Sequence, residues 1–430
     1  MTGLKEHPLR RELADEAHAR PYMLVSPPVR VSHLAAITGE TGFEADHAHL
    51  EDLCGRFKVP APAIEATHFT ADLGPVLVKW ERHTEFVSFT FFVDGAFSDP
   101  FETSALAAVP KDWLAAIPGD IMVATHLAAE AADAPERSKD EIMEMFGGGA
   151  ITGSQLLAGG ARAWTDHRIH DDGFGRILVR ADSVGQRRLG RIIQRLLEIE
   201  TYRYLAMMAF PLAKQTIPQL AAAEHELSEI VTRLADDSGA DDERALLKNL
   251  SALAARSEAT MVSNAYRFSA SRAYFDLVER RVVELREERL DNLQPFGEFI
   301  YRRLGPAMAT RDSVTDRQAS LSEGVARASN LLRTRVDVAL EEQNRDLLRS
   351  MDRRARLQLR LQETVEGLSV AAISYYVLSL VVYMARGLKS LHLPVDPYLT
   401  ALVALPFVVL GVWGGVRRMR KRLVKRDDSP

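Results

Sequence analysis

Two stretches near the end of the chain constrain its fold more than anything that precedes them. Leu368 to Ala385 and Tyr398 to Val416 contain no charged residue. Each is close to the roughly 20 residues that a helix needs to cross about 30 Å of hydrocarbon. The intervening "RGLKSLHLPVDP" (386–397) holds Pro394 and Pro397 and reads as a short polar turn. Two spans joined by one tight loop put both flanks on the same side of a membrane. Arg353, Arg354, Arg356 and Arg360 precede the first span and "RRMRKRLVKR" (417–426) follows the second, whereas the loop offers Arg386 and Lys389. The positive-inside bias therefore predicts that the N- and C-termini are both cytoplasmic.

The rest of the chain fits that placement. "MTGLKEHPLRRELADEAHARP" lacks the apolar stretch of a signal peptide, so the bulk is expected to stay where it is made. Cys54 is the single cysteine, which leaves no internal disulfide and no Cys/His zinc pattern. A net charge of -5 over 430 residues points to neither a nucleic-acid partner nor an acidic tail.

The sequence predicts an α+β cytoplasmic domain with a mixed sheet over 1–183. Runs rich in β-branched and aromatic residues lie at 29–37, 75–93, 120–129 and 150–160, and the second is long enough to turn near Arg82 to Glu85. Asp171-Asp172-Gly173 joins two further strands as a hairpin turn. Helices are expected over 41–57 and 134–146. A helical domain follows over 184–309, where Leu189, Ile192, Ile193, Leu196, Leu197 and Ile199 recur among charged residues. A break is expected at Asp236 to Gly239, and a connector around Pro295 and Pro306.

Residues 310–367 predict a long stalk helix. Leu321, Val325, Ala328, Leu332, Val336, Leu340, Leu347 and Met351 recur mostly at three- and four-residue intervals, as in a coiled-coil or bundle seam. Nothing stops this helix before transmembrane helix 1 (368–385). An outer loop (386–397), transmembrane helix 2 (398–416) and a basic cytoplasmic tail (417–430) complete the chain.

Ser369, Tyr376, Ser379 and Tyr383 share one helical face of the first span, in phase with the stalk seam. They are candidates for lining a pore. Tyr at a membrane interface and Ser as packing glue between helices account for the same residue types. Among soluble motifs, Glu81, His83 and Glu85 fall on one face of a strand, where a carboxylate–His–carboxylate row suits acid–base work or a divalent ion. His167 and His170 near the Asp171 turn form a second candidate metal pair. No nucleophile or phosphate-loop signature is present, so neither catalysis nor a cofactor is expected.

"HPLRRELADEAHARP", "ERHTEF", "RIIQRLLEIETYRYLAMMAFPLA" and "EGLSVAAISYYVLSLVVY" resemble an uncharacterised bacterial family described as membrane-anchored, with a domain of unknown function. The order of elements is similar to that of the CorA-type divalent-metal transporters, in which five subunits assemble and the first span lines the pore. Their Gly-Met-Asn is replaced by Met384-Ala385-Arg386-Gly387. Together these imply a homo-oligomer of CorA-like plan in the inner membrane. Such an assembly would pass an ion or small solute, with a divalent cation and lipid as further partners. The alternative is a membrane-anchored scaffold or sensor without transport.

Overall fold

The computed structural model describes residues 6–11, 13–14, 21–39, 42–235, 240–390 and 396–427, with side chains over the same residues except 240–242, 389–390 and 419–427. Residues 236–239 and 391–395, where the break and part of the outer loop are expected, lie outside the described residues. The chain divides into two compact units, Met1–Asp237 with Ala245–Ser329, and Ser238–Arg244 with Asn330–Pro430.

The first unit is built on a nine-stranded mixed sheet. Its strands are β1 (Val29–Ile37), β2 (His68–Asp72), β3 (Leu77–Arg82), β4 (Phe86–Asp94), β5 (Asp120–Ala131), β6 (Thr152–Leu156), β7 (Ala161–Thr165), β8 (Gly175–Ala181) and β9 (Glu288–Arg289). They lie in the order β2-β3-β4-β1-β5-β8-β7-β6-β9. Only β5 and β8 run parallel; the other neighbours are antiparallel.

Strand alternation sends successive side chains to opposite faces. On one face, Val29, Val31, Ala35, Leu127, Ile177 and Val179 join Leu189, Ile192 and Leu196 of α4 (Gln186–Met207), together with Val278 of α6 (Ala240–Leu285) and Phe296, Ile300 and Leu304 of α7 (Phe296–Ser390). On the other, Leu34, Val78, Trp80, Phe89 and Phe91 pack with Leu50 and Leu53 of α1 (Phe43–Phe57) and Trp113 of α2 (Lys111–Ala115). A smaller cluster holds Ile142 of α3 (Lys139–Met145) against Trp164 and Leu178. Ser138 and Glu141 start α3 with a reciprocal capping box.

The helix α5 (Ala209–Ala235) completes the unit, with Pro218 inside it. Of the two prolines expected to mark a connector, Pro295 ends the non-helical stretch that precedes α7, but Pro306 lies inside α7, which begins at Phe296. Phe296, Ile300, Leu304 and Met308 recur every fourth residue and are all buried. Burial of that stripe outweighs the hydrogen bond that a proline cannot donate.

The second unit holds the remainder of α7 and α8 (Pro397–Asp427). Both helices are long and apolar enough to cross a membrane, with mean hydropathy of 1.9 and 2.1 in their most apolar windows. Those windows are 11% and 0% buried, so the apolar surface is not covered within the chain as that of a core helix would be.

Candidate functional site

β1, β3 and β4 turn polar side chains toward α4 where apolar ones would be expected. His33, Lys79, Glu81, Ser88 and Thr90 form the floor of a cavity of about 300 Å3. Gln194, Glu198, Thr201 and Tyr202 of α4, with Arg281 of α6, form its roof. The opposite faces of the same strands carry Val78, Trp80, Phe89 and Phe91, so the period-two pattern is kept while one face is given to polar groups.

The polar groups are tightly paired. Lys79 Nζ lies 2.9 Å from Glu81 Oε1, and both side chains are nearly buried. Arg281 binds Glu198 of α4 and, at 3.1 Å, Glu284; Arg195 reaches Glu284 at 2.9 Å, and Gln194 donates to Glu198 at 2.8 Å. The Thr201 hydroxyl donates to the Leu197 carbonyl at 2.9 Å, so it must accept from His33 Nε2 at 3.0 Å. His33 Nδ1 is then the unprotonated nitrogen and accepts from Thr90 at 2.8 Å. Burial, aided by Lys79, pushes the His33 pKa down to about 4, so the ring is neutral at pH 7. The cavity offers paired charges of both signs, hydroxyls and an amide, a set suited to a small polar solute.

"ERHTEF" is a hairpin turn, and the one-face arrangement of Glu81, His83 and Glu85 is corrected accordingly. His83 and Glu85 fall between β3 and β4, with the His83 amide donating to the Phe86 carbonyl at 2.9 Å. Glu81 and His83 both line the cavity, and the His83 ring stacks on Phe86 with centroids 4.0 Å apart. Glu85 instead accepts from both terminal nitrogens of Arg267 on α6, at 3.1 and 2.5 Å. His167 and His170 also part: His170 Nε2 lies 3.1 Å from Asp166, while His167 turns into the core. Among the described residues no three His, Cys, Asp or Glu side chains are grouped to hold a metal ion.

His167 belongs to a buried chain of contacts that the sequence alone did not single out. Its Nε2 is 3.0 Å from Thr152 Oγ1, its Nδ1 is 3.5 Å from Glu200, and its ring stacks on Phe299 of α7 at 4.2 Å. Arg203 donates to Glu200 at 2.6 Å. Burial opposes the Glu200 charge, but Arg203 and His167 outweigh it and hold the carboxyl well below its usual range. The signal was an acidic and a basic residue three apart on an otherwise apolar helix face.

In the first span, Tyr376 and Tyr383 are exposed, whereas Ser374 and Ala385 are buried. At about 100° per residue, Val336, Leu340, Leu347, Met351, Ser369, Tyr376, Ser379 and Tyr383 fall within an arc of about 80°, with Ser374 and Ala385 roughly opposite. The seam is covered from Leu321 to Leu332 but exposed at Leu340, Leu347 and Met351. The Ser369 and Ser379 hydroxyls donate to the carbonyls of Val365 and Tyr375, each at 2.8 Å. Serines satisfied in this way need no polar neighbour.

The histidines set an acid limit on the first unit. His33, His49 and His126 all have pKa values lowered to about 4, chiefly by burial. The unfolded chain therefore takes up protons near pH 6.5 that the folded chain refuses until about pH 4. The stability these rings contribute is full above 6.5 and is lost as pH falls between those limits. Asp46, raised to about 6 by burial, acts in the opposite sense but is one group against three. Thermal unfolding followed from pH 7 to pH 4 should show a falling Tm, and His33→Gln should flatten the slope.

A family model described as a protein of unknown function (DUF3422) matches residues 5–423. No curated protein matches the chain.

Proposed function

For a chain that belongs to the DUF3422 family of unknown function, we propose a homo-oligomer of the bacterial inner membrane whose copies meet along α7, with Tyr376 and Tyr383 facing a path for an ion or small solute. One observation carries this reading. Below the span the apolar stripe of Leu340, Leu347 and Met351 is exposed, and within the span Tyr376 and Tyr383 are exposed while Ser374 and Ala385 across the helix are buried. One helix cannot cover such a stripe, and other copies of the same chain supply the matching surface. The termini lie in the cytoplasm, where the first unit regulates the path through a small polar solute held in the His33–Arg281 cavity. The plan is that of CorA-type transporters without their outer Gly-Met-Asn, and no chemical step is part of it.

A second reading, an anchored scaffold or sensor without transport, is favoured by the back-bonded hydroxyls of Ser369 and Ser379. Conductance of the purified chain in planar bilayers in KCl separates the two. The channel reading expects conductance that falls about tenfold or more in a Tyr376→Phe, Ser379→Ala variant, because an apolar ring dewets the path. Bilayers with inserted protein and no conductance would leave the scaffold reading standing.

A further inference from the structure

A second cavity of about 300 Å3 lies among α5, α6 and α7 of the first unit, apart from the residues of the His33 cavity. Leu220, Ala223 and Leu321 supply apolar wall beside the polar Gln219, and four further polar side chains divide into two kinds. Those of Thr216 and Thr260 are satisfied: they donate to the Leu212 and Arg256 carbonyls at 2.9 and 3.0 Å, and Thr216 also accepts from Asn264 at 3.0 Å. Ser257 Oγ and Gln318 Nε2 are buried and have no hydrogen-bond partner. Gln318 is only 7% exposed.

An orphaned buried donor costs about 1–3 kcal/mol, so two beside one cavity imply an occupant. The space corresponds to about ten waters at roughly 30 Å3 each, but ordered water needs two to four polar partners apiece, and Thr216, Thr260, Glu226 and Arg256 are already paired within the chain. The occupant should thus be mostly apolar, with one oxygen that accepts from both Gln318 and Ser257. The rim charges, Arg256 and Glu226, are paired at 2.5 Å, so the mouth demands no net charge.

We propose that this cavity binds a short straight-chain acyl compound, of about ten heavy atoms, through its carbonyl or carboxylate oxygen. Such a ligand bridges α5 and α6 to the part of α7 that precedes the stalk.

The test is hydrogen–deuterium exchange on the full chain in lipid nanodiscs, with octanamide or octanoate at saturating concentration. Peptides covering 216–226, 256–260 and 318–321 are expected to exchange about tenfold more slowly with at least one of the two. A response to both assigns recognition to the shared carbonyl oxygen; a response to one assigns the ligand's charge. The protection should vanish in Gln318→Leu and weaken in Ser257→Ala. Three results would overturn the proposal: no protection there with either compound, protection that persists in both variants, or a Gln318→Leu chain that is simply more stable while the natural chain binds neither, which marks the cavity as holding water alone.

Discussion

Replacing Glu200 by Leu is expected to destabilise the first unit by about 3–5 kcal/mol, the usual result of removing one partner of a buried ion pair. Glu200 accepts from Arg203 at 2.6 Å and faces His167 at 3.5 Å, with neither the carboxylate nor the ring open to solvent. Its loss strands a guanidinium whose Nε already lacks a partner. It also removes the charge that fixes the ring stacked on Phe299. The size of the effect comes from the uncompensated cation, so removing both charges should be far milder. A Glu200→Leu, Arg203→Met chain is expected to recover most of the lost stability. Thermal melts of the two variants and the natural chain measure the difference directly. Equal losses in both would show that the side chains act by packing and not as a pair.

A comparable loss is expected from a single methyl group at Gly190. A Cβ there would sit 1.7 Å from the Met23 carbonyl oxygen and 3.0 Å from its carbon. No rotamer relieves a clash with backbone, so the 21–28 segment must lift from α4. That segment buries Val25 and is tied by the Gln186 side chain, which donates to Ser26 at 2.8 Å. Gly190→Ala should therefore cost about 3 kcal/mol or more and lower Tm by roughly 6–12 °C. It should also open the His33 cavity, which Met23 and Gly190 both line. Gly55→Ala on α1 is the control. Nothing lies within 4 Å of its Cβ position, and helix propensity predicts a neutral or slightly stabilising change.

The central strands were legible because their residues obey a local rule. Val29 to Ile37 is rich in β-branched and aliphatic residues, and it is β1. The 75–93 run turns where Arg82 to Glu85 break its apolar pattern, giving β3 and β4. What escaped was short or at an edge. β2 pairs along one side only, β9 is two charged residues, and α2 is five residues long. These are held by tertiary contacts and carry little pattern of their own. At the start of α7, Pro306 signals a break, but the four-residue recurrence of Phe296, Ile300, Leu304 and Met308 carries the helix through it.

The cavity was less legible than the fold. Glu81 and His83 were singled out, but their partners lie on elements far away in sequence: His33 on β1, Thr201 on α4 and Arg281 on α6. No spacing rule joins residues that only the sheet order and the helix packing bring together. The one local clue was the alternation of Lys79, Glu81 and His83 with Val78 and Trp80. Polar groups stand there on a face that elsewhere faces the core. The span is the opposite case. Its face could be drawn from helical period alone; Tyr376 and Tyr383 are exposed on α7, as are Tyr375, Leu380 and Met384 around them.

The central claim, that copies meet along that face, is tested most directly by site-directed crosslinking of the full chain in membranes. Cys54, the only natural cysteine, is fully buried and its thiol pKa is raised by burial, so it stays silent. With a bismaleimide, Tyr376→Cys and Tyr383→Cys chains, each with one reactive thiol, should form covalent dimers. Ser374→Cys, on the opposite and buried face, should give none. Monomers alone at every position, or dimers from Ser374→Cys only, would contradict the account.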